Sequence, residues 1–327
     1  MNIKDKISNE FVKCGLNQND ADVFGLQVQN IFNKNQNYLD GDFEQQLVKC
    51  SNLNQQMDRL TELAYVDFLR KCNYNLHTTK PTVKSKSCLD VKIDNLGYGE
   101  FNCLHCSNIS SIDDLKSRLT QGLDKKFVKA YIEIQKGNIP KNEPIILFYC
   151  YSDLLDKGAL KIIVDDIHKD KVPLEVECLY GYNFKKSNGV EIEPRYFIDK
   201  TKWIGTDEKE IVKNLNGLYK TRHQKDKNGN ILLDKNGNPR IEVLVDTTYI
   251  SAVVFSPFIT NFVFNDILTE DAECYWNNDL ILIHNPSAKC SIKKKPFPTH
   301  YEYYIKKKRI EDGYYLRVKE IHKNEKG

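Results

Sequence analysis

The chain has 327 residues, 40% of them hydrophobic and 28% charged, with a formal net charge of +3 at pH 7. That length is ample for a buried core, and this balance of apolar and charged residues excludes wholesale disorder. No apolar run approaches the ~20 residues of a membrane-spanning helix, so no membrane partner is expected.

The charge is unevenly spread. Residues 289–327 hold 12 Lys/Arg against 5 Asp/Glu, a local +7, which leaves +3 minus +7, or −4, for the rest. Two basic runs, Lys293-Lys294-Lys295 and Lys306-Lys307-Lys308-Arg309, are candidate grips for a phosphate backbone. The plain alternative is a solubilising face. Met1 to Glu10 has no apolar centre of a secretory signal, and ten cysteines are too sparse for a disulfide framework. A cytoplasmic setting with reduced thiols is the expectation.

Taken in chain order, residues 1–55 read as polar helices, an N-terminal arm or small bundle. Asn17 to Asp20 suit a helix cap ahead of Phe24, Val28, Ile31 and Phe32, and a further helix starts near Asp42. From Leu53 to Cys72, the spacing of Leu60, Leu63, Ala64, Phe68 and Leu69 predicts a stronger helix, broken by Asn73 and Asn75. Cys88–Ile93 and Glu100–Cys106 read as strands joined by a glycine-bearing turn, Asn95-Leu96-Gly97-Tyr98-Gly99. Ser111–Lys136 reads as a long amphipathic helix closed by Gly137. Ile145–Cys150 is a continuous apolar run, as expected of a strand covered on both faces. Tyr249–Phe255 and Leu280–His284 are expected to join the same sheet, and the tail to form a late β-hairpin. Asp226-Lys-Asn-Gly-Asn230 recurs as Asp234-Lys-Asn-Gly-Asn238; without the alternating oxygen ligands and terminal Glu of a calcium loop, it reads as two successive turns.

The informative block is Glu62 to Cys106. A helix with Glu62-Leu63-Ala64-Tyr65 leads to a strand with Leu89-Asp90-Val91, a turn, and a strand with Phe101-Asn102-Cys103-Leu104-His105. A helix and a buried strand follow. This order resembles the PD-(D/E)XK restriction-endonuclease-like superfamily, in a divergent branch of bacterial proteins, over about 60–290. The resemblance implies a central mixed β-sheet flanked by helices. It also implies a helix Glu, an acid on one strand and a carboxylate-x-Lys on the next. Two such carboxylates hold Mg2+ or Mn2+ against a scissile phosphate, and a lysine orients water or stabilises developing charge.

Carried over residue by residue, Asp90 matches the first strand acid and Glu62 the helix acid. The second strand departs: Cys103 stands where a carboxylate is expected and His105 where lysine is expected. Glu100 is that strand's carboxylate, three residues early, and an offset of three flips the face unless the chain bulges. It is retained as the second candidate metal ligand. Lys125 or Lys126, on the following helix, is the candidate cation. Each residue also has a plain reading: Asp90 as a solvated strand-edge acid, Glu62 as the complement of a helix N-terminus, His105 as a packed side chain. Cys103-Leu104-His105-Cys106 invites zinc, but it needs partners among Cys72, Cys88 or His77, and strand residues three apart face opposite ways. No Walker loop, GxGxxG, GxSxG or HExxH is present.

The expected organisation is therefore an N-terminal helical region (1–55), an α/β core (56–290) and a basic C-terminal hairpin or tail (291–327). The expected function is metal-dependent hydrolysis of DNA phosphodiester bonds. Cutting both strands would call for a homodimer. The alternative is a degenerate nuclease fold serving as a nucleic-acid-binding or interaction module, which Cys103 favours. A third class is an enzyme using Cys103 itself as nucleophile.

Overall fold

The computed structural model describes residues 2–79, 88–105, 109–152, 174–180, 184–186, 195–198, 217–219, 222–223, 236, 244–256, 280–293, 296, 301–303, 305–310 and 313–319. Cys106, Lys294, Lys295 and, apart from Asn236, the repeat at 226–238 lie outside the described residues.

Four helices open the chain: α1 (Ile3–Lys13), α2 (Gln18–Asn35), α3 (Phe43–Lys49) and α4 (Leu53–Lys71). Asparagine side chains cap three of them. Asn2, Asn17 and Asn52 accept from the backbone N–H of Asp5, Asp20 and Gln55 respectively, satisfying donors that the first turn leaves unpaired. The stripe on α4 is buried as its spacing requires, with Leu60, Leu63, Ala64 and Leu69 all inside. Burying each leucine contributes roughly 1.5–3 kcal/mol.

Then come β1 (Leu76–Thr78), β2 (Val91–Ile93), β3 (Gly97–His105), α5 (Ile112–Gln135) and β4 (Ile145–Ser152). The short strands β5 (Phe184–Lys186), β6 (Arg195–Ile198), β7 (Arg222–His223) and β8 (Leu244–Val245) precede β9 (Ile250–Ser256), β10 (Ile281–His284), β11 (Tyr301–Tyr303), β12 (Ile305–Ile310) and β13 (Gly313–Lys319). The main sheet has seven strands in the order β1-β2-β3-β4-β9-β10-β11. It is mixed: β3, β4 and β9 run parallel, and β2 and β10 run antiparallel to their neighbours in that block. Strands β12 and β13 form an antiparallel hairpin within a second sheet, β12-β13-β6-β5.

Helices cover both faces of the main sheet, which explains its apolar central strands. On β4, Ile146, Phe148 and Cys150 join the core beneath α1–α4, while Ile145, Leu147 and Tyr149 join the core beneath α5. The N-terminal helices thus share one hydrophobic core with the sheet. Ser111 caps α5 by accepting from Asp114 N, and Gly137, at φ +78, ends it in the left-handed conformation.

The turn between β2 and β3 fixes their register. Asn95 (φ +61) and Gly97 (φ +116) take left-handed conformations, and Val91 pairs with Gly99. Strand β2 is shorter than its sequence predicts. At Asp90 a side chain takes over from the ladder: Asp90 Oδ2 accepts from Phe101 N at 2.6 Å. Among the described residues, no helix is long and apolar enough to cross a membrane.

Candidate functional site

Strand β3 carries chemistry on both faces. Its pairing with β4 is continuous from Tyr98 to His105, so its side chains alternate without a bulge. Phe101 stacks on Tyr65 of α4, at 5.7 Å between ring centroids. Glu100 turns the other way and meets the lysines of α5.

The hairpin register brings Asp90 beside Glu100. With Val91 opposite Gly99, the next residue back on the first arm lies by the next residue forward on the second. Asp90 is half-buried, and its carboxyl is pushed well above the usual aspartate range. Burial is the largest cause, and the negative charges of Glu100 and Glu62 add to it. Lys129 and the Phe101 N–H pull the other way without prevailing. Glu62, from α4, is raised to about 7, again chiefly by burial, with Arg59 opposing and Asp40 and Glu100 adding. Arg59 Nη1 holds Glu62 Oε2 at 2.7 Å. The three acids therefore sense one another's charge, although they come from a helix, a strand and the residue just before another strand.

Two lysines meet this acid group from α5. Lys129 Nζ lies 2.7 Å from Glu100 Oε1 and 2.8 Å from Oε2, and Lys126 Nζ lies 2.8 Å from Oε1. Burial works against the Lys129 charge, but Glu100 and Asp90 outweigh it and hold its pKa above the ordinary lysine value. Lys126 and Lys129 are three apart, on one face of α5. Lys125 is exposed and makes no contact with the acids.

The frame at Cys103 and His105 is displaced from this group. Both residues face α4, where His105 Nε2 lies 3.1 Å from Asp58 Oδ1. Beside Asp90 the strand instead presents Glu100-Phe101-Asn102. Asn102, on the same face as Glu100, is buried. Its Oδ1 has no hydrogen-bond partner among the described residues. No bulge is needed to bring Glu100 to Asp90. Lys129 was missed by the sequence reading. Counting the hairpin register outward from Gly97, together with the three-residue spacing of Lys126 and Lys129, is the signal that finds both.

The basic tail is partly described. Lys293 is exposed, and Lys306–Arg309 lie along β12.

Comparison of the chain with protein-family models, with curated proteins and with solved structures found no match.

Asp90 and Glu62 both carry raised carboxyls, in part through the charge of neighbouring acids, and a divalent cation would offset that repulsion. An oxygen-rich, incomplete cage of this kind suits Mg2+ or Mn2+, which keep waters and substrate oxygens as their other ligands. Asp90 and Glu100 would hold the ion, with Glu62 beside it.

Proposed function

We propose that this chain is a metal-dependent phosphodiesterase of the restriction-endonuclease-like type, acting on DNA. The observation that supports the reading best is the grouping of Asp90, Glu100 and Glu62 with Lys129 where β2 gives way to the loop before it. An acid on one strand, an acid immediately before its paired strand, a helix acid and a nearby ammonium are the parts that phosphodiester hydrolysis needs.

A divalent cation bound there supplies Lewis-acid polarisation of a phosphoryl oxygen and makes a neighbouring water more acidic. The protein's own groups do the rest. Glu100, from β3, and Asp90, tied to that strand through Phe101 N, orient the site. Glu62, with a carboxyl near 7, exchanges a proton at neutral pH and so accepts one from an attacking water. Lys129 presents a fixed positive charge to the negative charge that develops on the phosphate. The strand basic run, Lys306 to Arg309, adds sequence-independent attraction for the backbone.

A second reading, a non-cleaving nucleic-acid-binding module, is favoured by two specific features. Both oxygens of Glu100 are engaged by lysines, so the acid is already neutralised. Among the described residues, the metal-ligating group whose donor atoms all lie within 4.8 Å of one another is elsewhere, at Asp58, Cys103 and His105.

Incubation of the purified chain with supercoiled plasmid in Mg2+ or Mn2+ separates the two. Hydrolysis that Asp90→Asn and Glu100→Gln each reduce by roughly 100-fold or more supports the first reading. Salt-dependent DNA binding without cleavage by the wild-type chain supports the second.

A further inference from the structure

The face of β3 turned away from Glu100 carries a second constellation. Cys103 and His105, two apart on the strand, share a side, and Asp58 reaches them from α4, one helical turn before Glu62. The donor atoms of the three side chains all lie within 4.8 Å of one another. We propose that Asp58, Cys103 and His105 form a binding site for a soft divalent cation of the zinc class, separate from the carboxylate site.

The ligand types select the metal. A thiolate and an imidazole are soft or borderline donors that favour zinc over magnesium or calcium, and one carboxylate completes a familiar three-ligand set. The spacing fits. Zinc holds nitrogen and oxygen ligands at about 2.0–2.2 Å, so two of them around a tetrahedral ion stand roughly 3.3 Å apart. His105 Nε2 and Asp58 Oδ1 are 3.1 Å apart without an ion. The side chains of His105 and Asp58 are 26% and 52% exposed, which leaves room for water in the fourth position.

The ring of His105 is held mainly from its Nε2 side. His105 Nδ1 is buried with no hydrogen-bond partner among the described residues. With Nδ1 making no hydrogen bond among the described residues, the ring is not fixed by a partner on that side, and its Nε2 is left to the pocket formed with Asp58 and Cys103. Binding displaces the Cys103 thiol proton to solvent and leaves the imidazole neutral, so affinity falls as pH is lowered. The bound ion ties α4 to β3, the two elements that carry Glu62 and Glu100. The Cys103 that breaks the strand pattern of the first site thus becomes a ligand of the second.

The test uses the full chain, stripped with chelator under reducing conditions and titrated with Zn2+ against a chromophoric chelator and with Co2+ by absorbance. One equivalent of zinc is expected. The cobalt form should show intense tetrahedral d–d bands and a thiolate charge-transfer band. Cys103→Ser should abolish the charge-transfer band, and His105→Ala should weaken zinc binding at least about 100-fold. Asp58→Asn alters an exposed side chain, so folding is preserved, and it should weaken binding about 10-fold or more. Absence of the thiolate band in the wild-type chain overturns the proposal. So does a band that survives Cys103→Ser, or zinc affinity untouched by Asp58→Asn. Glu100→Gln should leave zinc binding unchanged, so failure of the nuclease reading and failure of this one are separately visible.

Discussion

Lys129 Nζ sits 2.7 and 2.8 Å from the two carboxylate oxygens of Glu100, a side chain only 1% exposed. A buried acid and a lysine one helix away are thus locked in a two-point ion pair beside Asp90. Breaking such a pair leaves a buried charge with too few partners. Lys129→Met should cost about 1–3 kcal/mol, because Lys126 stays to cover Glu100 Oε1. Lys126→Met should cost less, since it contacts one oxygen. Urea unfolding of the two variants measures the order. In a plasmid-nicking assay, Lys129→Met should lose at least about 100-fold in rate, and retention of full cleavage would remove Lys129 from the proposed mechanism.

The raised carboxyls make a prediction about pH. Glu62 titrates near 7 in the folded chain, against an ordinary value of 4.5. An acid raised by folding contributes its full stability below its unfolded pKa and loses it as pH rises through the folded one. In chelator, stability should therefore fall between about pH 5 and pH 8, with Glu62 accounting for at most about 3 kcal/mol. Asp90, raised in the same direction, adds to the fall. Glu62→Gln should flatten the profile between those limits. A wild-type midpoint that climbs with pH over this range would contradict the buried-acid account.

Divalent cation should reverse that trend. An ion bound at Asp90 and Glu100 stabilises the folded state according to the ratio of its concentration to its dissociation constant, about 2.7 kcal/mol at a hundredfold excess. The increase should grow with pH, because the acids must be ionised to bind. Differential scanning calorimetry in Mg2+ or Mn2+ against chelator measures it, and Asp90→Asn should abolish the shift. An equal shift in that variant would place the ion elsewhere.

Register at the β2–β3 turn should matter as much as the acids themselves. A Cβ on Gly97 would stand 2.2 Å from the Pro144 carbonyl oxygen, and its φ of +116 is strained for any side chain. Gly97→Ala should destabilise the chain by at least about 2 kcal/mol. It should also weaken Mn2+ binding, because it disturbs the pairing that sets Asp90 beside Glu100. Unchanged Mn2+ affinity would show that the acids do not depend on this turn.

For DNA binding, replacing Lys306, Lys308 and Arg309 with Ala should lower the slope of log affinity against log salt by roughly 1 for each phosphate contact removed. Fluorescence anisotropy across a salt series reads this directly. An unaltered slope would assign the run to solubility alone.

Much of the architecture was legible in the residues. The unbroken apolar run of Ile145–Cys150 fits a strand covered on both faces, and it lies between two helical layers. The stripe on α4 and the caps at Asn17 and Ser111 likewise specify helices from local chemistry. Period and capping act over a few residues, so one segment carries the whole signal. The candidate site was legible only in part. Asp90 and Glu62 stand out by residue type, but alternation along β3 says only that Glu100 and Cys103 face opposite ways. Which face looks at α5 is decided by packing: Phe101 inserts against Tyr65, and that turns Glu100 toward Lys126 and Lys129. The rotation of α5 then selects Lys129 and leaves Lys125 outside, and the position of α4 brings Asp58 to His105. Those choices depend on contacts between segments far apart in the chain, and a one-dimensional pattern holds no information about which of two equivalent faces another element will cover.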